Sequence, residues 1–240
     1  MAQEKDINTF YNLEYLKISK TEKFLRNSFT AEGLYDMPII KKQDIYLHDV
    51  QLIACHETRL NDTPYARAKG IHHFVDDYRF EYLYDKPEKC LKKYFQYSFV
   101  LSPEYSLYAD MPMWRQIENT VKNRWVGAYW QSMGLKVIAS VCWGMPASYD
   151  FCFDGIEQNS IVAVGMIGKK RSKKYFMLGY EEMLARLHPS HIIVYGSPFP
   201  EMKGNIIPVD YISSKRNVHQ PMLFDFKKTD NYNFIAKGRN

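Results

Sequence analysis

The stretch Ser98–Trp143, SFVLSPEYSLYADMPMWRQIENTVKNRWVGAYWQSMGLKVIASVCW, decides the fold class. It opens on a short apolar run, Ser98–Leu101, and closes on a second, Leu135–Trp143. Between them the spacing predicts a helix over 111–133, because Trp114, Ile117, Val121, Trp125 and Ala128 recur at intervals of three and four residues. Pro112 suits the first turn of that helix, and Gly134 suits its end. A strand, a helix and a strand in this order make a right-handed crossover between two parallel strands.

The same alternation continues on both sides. Val50–Ala54 and Ile71–Val75 precede the crossover, while Ser160–Ile167, His191–Tyr195 and Asn205–Val209 follow it, with a second helix expected over 175–187 that stops before Pro189. These runs are continuously apolar rather than alternating, as in parallel strands buried on both faces. The expected fold is therefore α/β, a mostly parallel sheet built from strand-helix-strand units. A doubly wound sheet and a complete or partial (β/α) barrel both fit, with the barrel favoured. Phe10, Leu13, Leu16, Phe24 and Leu25 add an expected N-terminal helical layer. The organisation expected is one domain over 1–212 and a basic tail over 213–240.

Composition bounds the function classes. With 240 residues, 46% hydrophobic and 25% charged, the chain has the make-up of an ordinary globular domain. No stretch reaches the roughly 20 apolar residues of a membrane helix, so no membrane span is expected. The opening MAQEKDINTF lacks the apolar core of a signal peptide, from which a cytoplasmic location is expected. Cys55, Cys90, Cys142 and Cys152 form no CxxC pair and are read as reduced thiols. The formal net charge is +5, and the tail's six Lys or Arg against two Asp account for four of those charges. The body of the chain is close to neutral, so the basic balance lends only mild support to a polyanionic partner. Nothing in the sequence sets an oligomeric state.

The stretch from Leu101 to Trp143, followed by SYDFCFDGIEQNSIVAVGMIG and HIIVYG, resembles a bacterial and phage family known as domain of unknown function 4417. The likeness spans roughly the central and C-terminal two thirds of the chain. It departs from the family pattern at Glu104, where Asp is preferred, and at Ile138, Ala139 and Ser140, where a proline is usual. The resemblance implies phage and mobile-element context and carries no activity with it.

In sheets of this kind ligands bind at the carboxyl ends of the strands, so the residues after each apolar run are the candidates. Glu104, Asp110, Asp150 and Asp154 are candidate catalytic carboxylates, as general acid and base or as oxygen ligands for a divalent metal such as Mg²⁺ or Mn²⁺. The structural alternative for two of them is that Asp110 caps a helix and Asp154 shapes a turn with Gly155. Ser102, Trp143 and Tyr195 are candidate ligand contacts by position. So are Gly168, Lys169, Lys170 and Arg171, which open a run of five cations in six residues between a strand and a helix, suited to phosphate. That run lacks the P-loop and GxGxxG spacings, and a solvated basic loop is its alternative. Cys55, His56, Glu57, His72 and His73 are read as packing residues, since neighbours on a strand face opposite ways. Cys142 is read the same way, having no activating base near it in sequence. Two functions fit these features. One is an enzyme acting on a phosphorylated or nucleotide-like substrate. The other is a non-catalytic protein that binds single-stranded nucleic acid or a host partner, with exposed aromatics such as Tyr105 or Tyr108 stacking on bases.

Overall fold

The computed structural model describes residues 25–212 together with Thr21 and Ser214. The expected helical layer over residues 10–30 and the basic tail lie largely outside them. A small antiparallel hairpin, β1 (Ala31–Glu32) with β2 (Met37–Pro38), leads into the main sheet. That sheet holds β3 (Leu52–Ala54), β4 (Gly70–His72), β5 (Phe99–Leu101), β6 (Val137–Ser140), β7 (Ile161–Gly165), β8 (His191–Tyr195) and β9 (Ile206–Val209). All seven are parallel, stand in chain order, and curl into a half-barrel. The order settles the choice left open by periodicity. A doubly wound sheet reverses its winding at a switch point, whereas here every step goes the same way.

The runs of β3 to β8 form strands because both of their faces are covered, while the edge strand β9 is buried only at Val209. On one face Val100, Val137, Val162 and Ile192 join a core with Trp125, Trp130 and Tyr180. On the other, Leu101, Ile138, Ala163 and Ile193 pack with Phe74, Phe99 and Tyr195 against the incoming segment at Ile45, Leu47 and Val50. Continuous hydrophobicity is the sequence trace of that double burial.

Three one-turn helices, α1 (Pro64–Arg67), α2 (Tyr82–Asp85) and α3 (Leu91–Tyr94), occupy the connections before β5. The long helix α4 (Met113–Ser132) carries the chain from β5 to β6, and α5 (Lys173–Leu187) carries it from β7 to β8. Pro112 stands at the N-cap of α4, and Gly134, with φ +94°, follows its end. Among the described residues no helix is long and apolar enough to cross a membrane.

The polar positions of α4 are its least expected feature. Gln116, Asn119, Lys122, Asn123 and Arg124 are buried rather than solvated. The Arg124 guanidinium donates to the carbonyls of Cys152 (2.7 Å), Asp154 (2.8 Å) and Ser140 (3.3 Å) and to Oδ1 of Asn123 (2.6 Å). A buried charge is tolerated where its donors are satisfied, and these acceptors tie α4 to β6 and to the segment that returns from it.

Candidate functional site

The carboxyl ends of β4 to β7 open into a pocket of about 260 Å³. Its walls come from Phe74–Asp76 after β4, from Glu104 and Ser106–Tyr108 after β5, from Cys142 after β6, and from Gly165, Ile167 and Lys169 at the end of β7. The segment Ser102-Pro103-Glu104-Tyr105-Ser106 is held from several sides. Ser102 N extends the sheet ladder to Ile138 O at 2.9 Å. Asn123 Nδ2 donates to Pro103 O at 2.7 Å, and Asn119 Nδ2 donates to Ser106 O at 2.7 Å. The Asp77 carboxylate accepts from Ser106 N at 3.0 Å and from its hydroxyl at 2.8 Å. Between these anchors the Tyr105 ring is buried edge-on against Phe80 and anchors the backbone beside Glu104. Glu104 is thus a half-buried carboxyl on a constrained backbone, as a catalytic group requires.

Burial pushes the Glu104 carboxyl up to about 7, with Asp77 adding to the shift and the Lys169 ammonium opposing it. Cys142 shares the pocket, and its Sγ lies 3.5 Å from Tyr105 O. Burial, and then the Glu104 charge, hold its thiol well above the ordinary range, so at neutral pH it is no thiolate nucleophile. His72 and His73 lie deeper, and burial lowers both to about 3, which keeps them neutral. As alternation on a strand requires, they face opposite ways. The His72 ring packs on Tyr195, and the His73 ring packs on Trp130, with its Nδ1 3.0 Å from Leu101 O.

A second chamber of about 280 Å³ adjoins the first and shares Leu107, Tyr108, Ile167 and Lys169 with it. Its floor is Trp143–Met145 after β6. One wall is the loop after β5, and the other runs from Ile167 into the first turn of α5 at Tyr175 and Phe176. Gly168 belongs to that wall with φ +73°, a left-handed conformation that glycine takes without strain.

Of the residues singled out by sequence, Glu104, Trp143, Gly168 and Lys169 line these two chambers. Trp143 is itself buried, its ring lying against Phe176 at 5.1 Å. The others lie elsewhere. Lys170 and Arg171 are exposed on a 3-10 turn and face neither chamber. Ser102 is buried, donating to Asn123 Oδ1 and accepting from Ser140 N, each at 2.9 Å. Tyr195 packs inside the curl of the sheet on Phe74, with its hydroxyl 2.8 Å from Ser214 Oγ. Asp110 is exposed before α4, which carries no side-chain cap. Asp150 is exposed in the turn Pro146–Asp150. Asp154 lies beyond that turn near Glu32 of the β1–β2 hairpin, where burial and then Glu32 raise its carboxyl. Asp150 and Glu104 therefore do not share a pocket. Among the described residues no three His, Cys, Asp or Glu side chains are grouped to hold a metal ion. Of the aromatics expected at the surface, Tyr108 is 61% exposed at the mouth, whereas Tyr105 is fully buried.

Cys142, read from the sequence as packing, lines the pocket. Asn119 and Asn123 of α4 position the Glu104 segment. Arg115, at the start of the same helix, is engaged by Glu118 at 2.7 Å and Glu81 at 3.8 Å. A signal was present, since Gln116, Asn119 and Asn123 recur at helical spacing as regularly as the apolar stripe.

The family model described as Domain of unknown function (DUF4417) matches residues 29–212. The Gene 1 protein of Mycobacterium phage L5 is 37% identical over 175 residues, covering 72% of this chain and 76% of that protein. The Gene 1 protein of Mycobacterium phage D29 is 34% identical over 175 residues, covering 72% of this chain and 64% of its own length. No solved structure matches the chain.

Proposed function

The chain belongs to the DUF4417 family and has phage relatives, and from that premise we propose that it is an enzyme in which Glu104 moves a proton on an anionic, phosphate-bearing substrate anchored by Lys169. The observation that carries the reading is the half-buried Glu104 carboxyl facing a pocket at the strand ends together with a lysine. Sheets of this architecture place chemistry at that end. A carboxyl whose titration is moved near neutral pH can act as base above its pKa and as acid below it. Lys169 stands where an anionic group entering the pocket would meet it, half-buried and hence less screened than the exposed cations that follow. Asp77, Asn119 and Asn123 hold the backbone of Pro103 and Ser106 on either side of Glu104 and leave its carboxyl to the pocket.

The test is a thermal-shift titration of the full chain with inorganic phosphate, sugar phosphates and nucleoside phosphates, repeated with Lys169→Ala. A ligand at a hundred times its Kd stabilises the native state by about 2.7 kcal/mol. The expected result is a raised melting temperature with at least one phosphate compound, lost in Lys169→Ala. If no phosphate compound stabilises the protein, or if Lys169→Ala responds as fully as the wild type, the reading is wrong.

A further inference from the structure

The reading above leaves the second chamber without a task. We infer that it binds a planar heterocyclic ring, so that the substrate is a nucleotide unit whose base lies between Tyr108 and Tyr175 while its phosphate reaches Lys169.

Three observations support this, and all rest on the anion site proposed above. The first is size. Neither chamber alone reaches the roughly 300 Å³ at which small-molecule sites begin, but the two adjoin across shared wall residues and together pass it. A bare phosphate or a small sugar phosphate would leave the second chamber unfilled.

The second is lining. The chamber away from Glu104 is walled by exposed aromatic surface that the fold has no structural need to leave open. Tyr108 is 61% and Tyr175 48% exposed, and Ile167 beside them is 56% exposed. Isolated apolar residues at a surface need no explanation, but rings and an aliphatic side chain around one concavity do. Tyr108 follows β5, and Tyr175 lies in the first turn of α5 beyond β7, so the two rings wall the chamber from the elements on either side of β6. Trp143, buried below, makes the floor apolar.

The third is charge. Lys169 borders both chambers, which is where the phosphate of a ring-bearing ligand would sit if the ring occupied one chamber and the reacting atoms met Glu104 in the other. Stacking on aromatic side chains tolerates any base, because every base has a π-face, and the second chamber carries no charged group besides that lysine.

The experiment is calorimetric titration of the full chain with AMP, CMP and ribose 5-phosphate, repeated with Tyr108→Ala and Tyr175→Ala. Both substitutions lie on exposed side chains and leave the core intact. The expected result is that at least one mononucleotide binds roughly tenfold or more tightly than ribose 5-phosphate. Either alanine variant should erase that preference, and Tyr175→Ala, which lines the second chamber alone, should leave the ribose 5-phosphate affinity unchanged. A 5′-phosphorylated oligonucleotide run alongside tells whether the unit is taken free or at a strand end, and binding of either form in the tyrosine-dependent manner supports the inference. Equal binding of ribose 5-phosphate and mononucleotides would overturn the ring site and spare the anion site. A nucleotide preference untouched by both tyrosine substitutions would place the ring elsewhere and also overturn it. Binding of none of the three compounds would remove the inference together with the reading beneath it.

Discussion

Glu104→Gln should make the protein more stable at alkaline pH and leave it nearly unchanged in acid. The folded carboxyl titrates at about 7 against an ordinary value of 4.5, so between those values the native state holds a proton that the unfolded chain has released. Stability therefore falls as pH rises through that window, and the full cost is present above 7. Each pH unit of the window is worth about 1.4 kcal/mol, which gives about 3 kcal/mol for the wild type above neutral pH and about 2 kcal/mol after allowance for the partial exposure of the side chain. Glutamine keeps the shape and removes the titration. Urea denaturation of both proteins at pH 5 and pH 8 isolates the effect, because any constant difference in packing cancels between the two pH values. Part of the window lies below pH 5, so with a slope of about 3 kcal/mol per molar urea for a chain of this size the midpoint advantage of the variant should grow by about 0.5 M from pH 5 to pH 8. An advantage that stays constant with pH, or that grows towards acid, would show that Glu104 is not held protonated by burial and would remove the physical basis for its acid-base role.

Two further outcomes follow from the packing. Arg124→Met should cost about 3–5 kcal/mol by chemical denaturation, since it strips donors from the buried carbonyls of Cys152, Asp154 and Ser140 together, and a loss below about 1 kcal/mol would mean those groups find other partners. Gly168→Ala should cost about 1 kcal/mol through its left-handed backbone alone, because a Cβ there meets nothing within 4 Å; a thermal melt showing no change would mean that the loop adopts another conformation at that residue.

The strands were readable because burial on both faces leaves an unbroken apolar run, and each of the seven runs holds one strand. The winding was not, because the alternation of strand and helix is the same whether successive strands are laid on one side or two, and only the pairing of β3 through β9 in chain order decides it. At the site the limits of sequence reading are geometric. Inspecting residues after strand ends located Glu104 and Lys169, yet it also gathered Ser102 and Tyr195, which sit as close to their strand ends but on the wrong side of the pleat. Leu101 belongs to the core inside the curl, so Ser102, one residue on, faces α4 and bonds Asn123; Tyr195 keeps the parity of Ile193 and points back into that core. Distance from the strand end fails for a different reason. Asp150 and Asp154 come after β6 in sequence, but by then the chain has turned onto the helical side, where Arg124 grips the Cys152 and Asp154 carbonyls. A rule that combined both effects would keep residues within a few positions of a strand end that pack on neither core. In this chain it would retain Asp76, Glu104 and Lys169 and discard Asp150 and Asp154. Of the two carboxyls lining the pocket, Asp76 is exposed and Glu104 half-buried, and it is burial that moves Glu104 towards neutral pH.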